Sequence, residues 1–164
     1  MANTLKQVAP TKLIEVKNCF DTDVYYKSDS DGKIYHWKPF QSVQIDAREI
    51  QAQCYDNCLY GYHGKGLHPT LYICDKALRV QVGYETEDEP QVVIDKKFLA
   101  GLFEIKDFEE FKNAVVKYVQ LLTEKQLFAN LLGTTTMDHA RHKWCEEFLG
   151  LGPLNIPLSS FYVR

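Results

Sequence analysis

The chain has 164 residues, 45% of them hydrophobic and 25% charged, with a formal charge of −3. This is a globular composition and excludes a disordered chain. With 19 basic residues against 22 acidic ones there is no dominant basic field, which excludes non-specific nucleic-acid binding as the main task.

The first part of the chain reads as β-rich. Leu13-Ile14-Glu15-Val16-Lys17 is short and mostly alternating, the pattern of a half-buried strand. Val24-Tyr25-Tyr26 and Ile34-Tyr35-His36-Trp37 are β-branched and aromatic, and the polar stretch between them contains Asp31-Gly32, a hairpin signal. Pro39-Phe40 closes that pair, and Ser42-Val43-Gln44-Ile45 alternates as a further strand. Asp46 and Glu49 form a capping box for a short helix to about Cys54. Residues 55–70 hold three glycines and Pro69 and read as a loop. Leu71-Tyr72-Ile73-Cys74 reads as a buried strand, and Asp75 caps a helical turn over 77–80. Residues 85–90 carry four acids and a proline and are expected to separate two halves.

The second part reads as helices. Asp95 caps a segment over 96–103, and Asp107 starts a longer one whose Phe108, Phe111, Val115, Val119 and Leu122 follow the helical period. Thr123 and Gln126 read as a capping box for a helix to Leu132, ended by Gly133. Thr134-Thr135-Thr136 offers caps for a last helix with Met137, Ala140, Trp144 and Phe148 on one face, stopped by Gly150. Residues 151–164 contain two prolines, seven large apolar side chains and one charge.

The predicted fold class is therefore α+β. A small antiparallel β-domain over 1–90, a meander or partly open barrel, is followed by a bundle of four short helices over 91–150 and an extended C-terminal arm over 151–164. Predicted core positions are Ile14, Val16, Val24, Tyr26, Ile34, Val43, Ile45, Leu71 and Ile73 in the first part. Those of the second are Phe98, Phe108, Phe111, Val115, Val119, Leu122, Leu127, Leu131, Trp144 and Phe148.

No P-loop, GxGxxG, GxSxG or HExxH motif occurs, so no catalytic residue is assigned and the chain is expected not to be an enzyme. No apolar run approaches the roughly 20 residues of a membrane span, and no secretory signal is read at the start. Five cysteines without such a signal are expected to be reduced thiols. The best metal candidate is Cys54, Cys58, His63 and His68, donors that zinc accepts. Their spacing is irregular and no CxxC pair anchors it, so no metal or other cofactor is assigned; buried thiols and loop histidines are the plainer reading. His139, His142 and Glu146 share a helical face but sit beside Arg141 and Lys143, which discourage a cation. The Asp29 to Gly32 stretch has basic residues where a calcium loop needs acids. Cys145 and His142 are one helical turn apart, and no motif supplies an orienting acid or oxyanion hole.

Aromatic side chains are 13% of the chain. Tyr55, Tyr60 and Tyr62 in the glycine-rich loop, with Leu154, Ile156, Leu158, Phe161 and Tyr162 in the C-terminal arm, are the candidate partner-binding residues. Tyrosines are enriched at protein interfaces, and extended arms lay alternate side chains into a partner's pockets.

Val16-Lys17-Asn18, Val24-Tyr25-Tyr26, Trp37-Lys38-Pro39-Phe40 before Val43-Gln44-Ile45, Asp46-Ala47-Arg48-Glu49-Ile50, Leu71-Tyr72-Ile73-Cys74-Asp75 and the run Phe108 to Ala114 follow one another over residues 13–132. This order resembles small virion-associated structural proteins of tailed bacteriophages. The chain has Pro39-Phe40 where those proteins usually carry Pro-Gly, and its 54–68 loop lacks their usual Pro-Gly-Gly. The resemblance implies a non-enzymatic virion component, a capsid accessory or head–tail connector protein made in the host cytoplasm. It would be present in many copies, with other virion proteins as partners and no membrane or sequence-specific nucleic acid. The alternative is a small viral regulatory or host-inhibitory binding module, zinc-stabilised at the 54–74 loop.

Overall fold

The computed structural model describes residues 7–56, 59–61 and 67–150, the side chains of Tyr55 and Asp56 excepted. The fold is α+β. Its two compact units are Met1–Val93 and Ile94–Arg164.

In the first unit, β1 (Leu13–Asn18) is the middle strand of a three-stranded antiparallel sheet, with β4 (Ser42–Asp46) on one side and β5 (Leu71–Ile73) on the other. Its alternation is the reason. Ile14, Val16 and Asn18 are buried while Leu13, Glu15 and Lys17 face water, so one face meets the core and both edges remain for partners. The order β4-β1-β5 differs from a meander, because β2 (Val24–Lys27) and β3 (Ile34–Trp37) pair only with each other, as a separate antiparallel hairpin. Asp46 caps α1 (Ala47–Asp56) by accepting from the Glu49 amide at 2.8 Å. Asp75 caps α2 (Lys76–Gln81) through the Leu78 amide. Val16, Trp37, Ile45, Ile50, Leu71, Ile73 and Leu78 form the centre of the core.

The expected boundary segment at 85–90 belongs to this unit. Glu85 is buried and accepts from Arg79 Nε at 2.7 Å, from Arg79 Nη2 at 3.3 Å and from the Gln91 amide at 3.1 Å. Arg79 also donates to the Ile73 carbonyl at 2.7 Å and lies over the Tyr72 ring. The acid that looks like part of a solvated run in sequence thus fastens α2 to β5 and to the segment after it.

The second unit contains α3 (Lys96–Leu102), α4 (Phe108–Tyr118), α5 (Leu122–Leu132) and α6 (His139–Leu149). Asp95, Asp107 and Asp138 cap α3, α4 and α6. Three sequence expectations are corrected here. The α4 helix ends at Tyr118, with Val119 outside the helical region, so Leu122 starts the next helix and is 45% exposed rather than core. The capping residues of α5 lie two positions before the expected box, since buried Glu124 accepts the amides of Leu121 at 2.8 Å and Gln120 at 3.2 Å. The cap of α6 is Asp138 and not the threonines, which leaves Met137 outside the helix and turns Cys145 and Leu149 inward, while Ala140 is exposed and Trp144 and Phe148 are half-buried. Arg141 holds the end of the α3–α4 connection, donating to the carbonyls of Ile105, at 2.5 Å, and Lys106, with its guanidinium over the Phe111 ring.

Candidate interaction surface

The hairpin β2–β3 carries the most exposed apolar and aromatic side chains of any paired strands among the described residues. Its turn is built locally. The Ser28 amide donates to the Lys33 carbonyl at 2.8 Å, the Gly32 amide to the Ser28 carbonyl at 3.0 Å, and the Lys33 amide to Asp31 Oδ1 at 2.9 Å. Gly32 adopts φ +70°, a conformation cheap only for glycine. Asp31 therefore works as a turn cap.

Closing the turn on the pair Ser28–Lys33 fixes the register: Lys27 faces Ile34, Tyr26 faces Tyr35, Tyr25 faces His36 and Val24 faces Trp37. Val24, Tyr26, Tyr35 and Trp37 turn toward the core. Trp37 is fully buried and donates from Nε1 to the Val16 carbonyl at 3.1 Å. Asn18 adds a second tether at the end of β1. It is fully buried, donates to the carbonyls of Thr22 at 2.6 Å and Lys38 at 3.1 Å, and accepts from the Phe20 amide.

The opposite face is left in water. Tyr25 is 64% exposed and Ile34 65% exposed, so Ile34, expected in the core, lies outside it. The pair Tyr25–His36 alternates with the hydrogen-bonded pairs of the ladder, and pairs of that kind bring side chains closest. Their rings stack at 4.2 Å with 2° between planes. Asp23 Oδ1 meets His36 Nε2 at 2.8 Å and fixes the ring's orientation. The result is an outer face centred on Tyr25, His36 and Ile34, on a hairpin anchored from beneath. The signal for it was present in the sequence. His36 shares Ile34's parity, and a polar side chain on that face marks it as wet.

Just past the hairpin, Phe40 takes φ +57°, the left-handed region that disfavours a side chain. Pro39-Phe40 thus occupies a turn for which Pro-Gly is better suited.

The other candidate residues are distributed differently. Tyr60 is corrected from partner-binding to core: it is fully buried, and its hydroxyl donates to Gln53 Oε1 at 2.5 Å, with Gln53 in turn donating to Glu49. Burial, above all, pushes its phenol well above the ordinary range. Tyr62, Cys58, His63, Leu154, Ile156, Leu158, Phe161 and Tyr162 lie outside the described residues, as does the side chain of Tyr55, whose backbone belongs to the last turn of α1. Of the zinc candidates, Cys54 has its thiol pushed up to about 11 by burial, and His68 is half-buried with φ +50°. Among the described residues no group of three or more His, Cys, Asp and Glu side chains is arranged to hold a metal.

Cys145 is fully buried, and burial pushes its thiol up to about 12, the reverse of an activated nucleophile. His142 meets Glu146 through Nδ1 at 3.4 Å, while His139 is exposed.

Neither the family models, nor the curated proteins, nor the solved structures contain a match to this chain. The reading of the surface rests on its own chemistry. No described helix is long and apolar enough to cross a membrane. The exposed hairpin face combines an aliphatic side chain, an aromatic stack and flanking charges of both signs from Asp23 and Lys27. That mixture suits a protein partner, whose interface core is aromatic and aliphatic and whose rim is polar.

Proposed function

We propose that this chain is a non-enzymatic structural component of a tailed-phage virion, a capsid accessory or head–tail connector protein that works through subunit–subunit contacts in many copies. The observation that carries the reading is the outer face of β2–β3. Two large side chains, Tyr25 and Ile34, stand mostly in water on a hairpin that Trp37 and Asn18 hold rigid. Burying such a preformed face adds little ordering entropy to the general cost of association, so a larger share of the apolar gain reaches the complex than a flexible segment would deliver. Two further features support the reading: the order of motifs, which resembles that of small virion proteins, and the apolar residues 154, 156 and 158 in the C-terminal arm. The thiols of half-buried Cys54 and fully buried Cys145 are both pushed up by burial, which favours a packing role for them over a nucleophilic one.

The test is density-gradient fractionation of a lysate from the culture that makes the protein, with detection by an antibody against the chain. A structural role predicts the chain in the particle band at a fixed ratio to the major capsid protein. A chain that stays entirely at the top of the gradient overturns the proposal and turns attention to a soluble regulatory module.

A further inference from the structure

We infer that residues 152–158 of one copy add as an antiparallel strand to the free edge of β3 in a second copy. This rests on the assembly role proposed above and names the partner and the mode of contact.

The first observation is the parity of the arm. Pro153 and Pro157 are four residues apart. In an extended chain the main-chain groups of alternate residues point to the same side, so both missing N–H groups would fall on one edge. The other edge, at 152, 154, 156 and 158, keeps every donor and acceptor. Proline on the outer edge is how terminal strands avoid further pairing. The same even parity carries Leu154, Ile156 and Leu158, so a strand that pairs through these residues shows one apolar face.

The second observation selects the edge. In an antiparallel ladder, residues that bond across to each other place their side chains on the same face. On β4 the residues whose main chain points away from β1 are Ser42, Gln44 and Asp46. These side chains are all exposed and polar, so an arm there would lay Leu154, Ile156 and Leu158 on a wet polar surface. On β5 the outward groups are already engaged: the Leu71 amide donates to the Leu59 carbonyl at 2.8 Å, and the Ile73 carbonyl accepts from Arg79 at 2.7 Å. On β2 the outward residues are Tyr25 and Lys27, and an exposed lysine on an edge opposes pairing. On β3 the outward residues are Ile34 and His36, and among the described residues nothing bonds their main-chain groups on that side. An arm pairing there lays its apolar side chains beside Ile34 and the His36–Tyr25 stack, the exposed apolar surface of the hairpin.

The test is a proline pair in the full-length chain, read by sedimentation equilibrium. Asn155→Pro adds a third proline on the edge that already lacks donors, whereas Ile156→Pro removes a donor from the pairing edge. Ile156→Ala controls for the side chain, and Ile34→Lys blocks the receiving edge at a position too exposed to matter for folding. The expected result is assembly of N155P within about threefold of wild type. Loss of one main-chain hydrogen bond should weaken I156P about tenfold beyond I156A, and I34K should be monomeric. Equal behaviour of N155P and I156P overturns strand addition, and a full-length chain that is monomeric up to 100 μM overturns a second copy as the partner. If the chain sits in the particle band while the two proline variants behave alike, only the strand addition fails. If deleting 151–164 leaves assembly unchanged, the arm's part in the assembly reading fails as well.

Discussion

Replacing Glu85 by Gln tests the energetic account of the first unit. The wild-type carboxylate is almost fully buried and accepts three donors, two from Arg79 and one from the Gln91 amide. The amide side chain keeps the shape but cannot accept all three, and it leaves the guanidinium of Arg79 half-satisfied beside the Tyr72 ring. Breaking a buried ion pair from one side costs about 3–5 kcal/mol, and the surviving hydrogen bonds place E85Q near the lower end, about 3 kcal/mol. Urea unfolding at pH 7 in a Trp144→Phe background reads this, because Trp37, fully buried in the same unit, is then the sole tryptophan. The pH dependence carries the sign. Burial alone would raise the Glu85 carboxyl, but the hydrogen bond and charge of Arg79 and the Gln91 amide outweigh it and hold the group below its ordinary 4.5. Its stabilisation is therefore complete above pH 4.5 and is lost as the pH falls through the lower folded value, so the gap between wild type and E85Q should close in acid. A gap under 0.5 kcal/mol at pH 7, which is about the size of a neutral surface change, or a gap that does not shrink below pH 4, would refute the reasoning.

Other perturbations follow from the same geometry. Phe40→Gly relieves a left-handed residue, a cost of about 1–2 kcal/mol, against the roughly 0.5–1 kcal/mol of added unfolded-state entropy, and should raise stability by about 0.5 kcal/mol in chemical denaturation; a loss of 1 kcal/mol or more would show that the ring's packing outweighs the strain. Arg141→Ala removes the bonds to the Ile105 and Lys106 carbonyls and the cover of Phe111, and should destabilise the second unit by about 2 kcal/mol in the emission of Trp144; an unchanged midpoint would mean that the connection holds without it. Iodoacetamide at pH 7.5 should label exposed Cys74 first among the described thiols and Cys145 only after unfolding. A thiol near 12 is ionised at that pH to an extent on the order of one part in 30,000, and native labelling of Cys145 within minutes would contradict its burial.

Much of the fold is legible in the sequence where one residue answers one local need. Ile14, Val16 and Asn18 alternate, Asp-Gly closes a hairpin, and Asp46, Asp75, Asp95 and Asp107 each cap a helix. The failures share a cause, since each depends on a partner distant in sequence or on a break the pattern does not register. Phe108 to Leu122 keeps the helical spacing through Val119, although the chain leaves the helix there and Glu124 begins a new one. Tyr60 looks exposed among glycines, yet Gln53 provides a buried acceptor for its hydroxyl. Glu85 looks solvated in an acidic run, yet Arg79 reaches it from α2. The candidate surface was half-legible. Val24-Tyr25-Tyr26 is apolar at every position and does not reveal which face is inside. His36 marks Ile34's face as the wet one, and the register set by Ser28 and Lys33 then places Tyr25 beside it.

Native mass spectrometry of the full-length chain, without added metal, beside a Tyr25→Asp/Ile34→Asp variant tests the central claim most directly. If the outer hairpin face is where subunits meet, the wild type forms a metal-free multi-copy species and the variant a single-copy one with an unchanged thermal midpoint. A wild-type monomer, with or without bound zinc, or a variant that assembles as the wild type does, would contradict it.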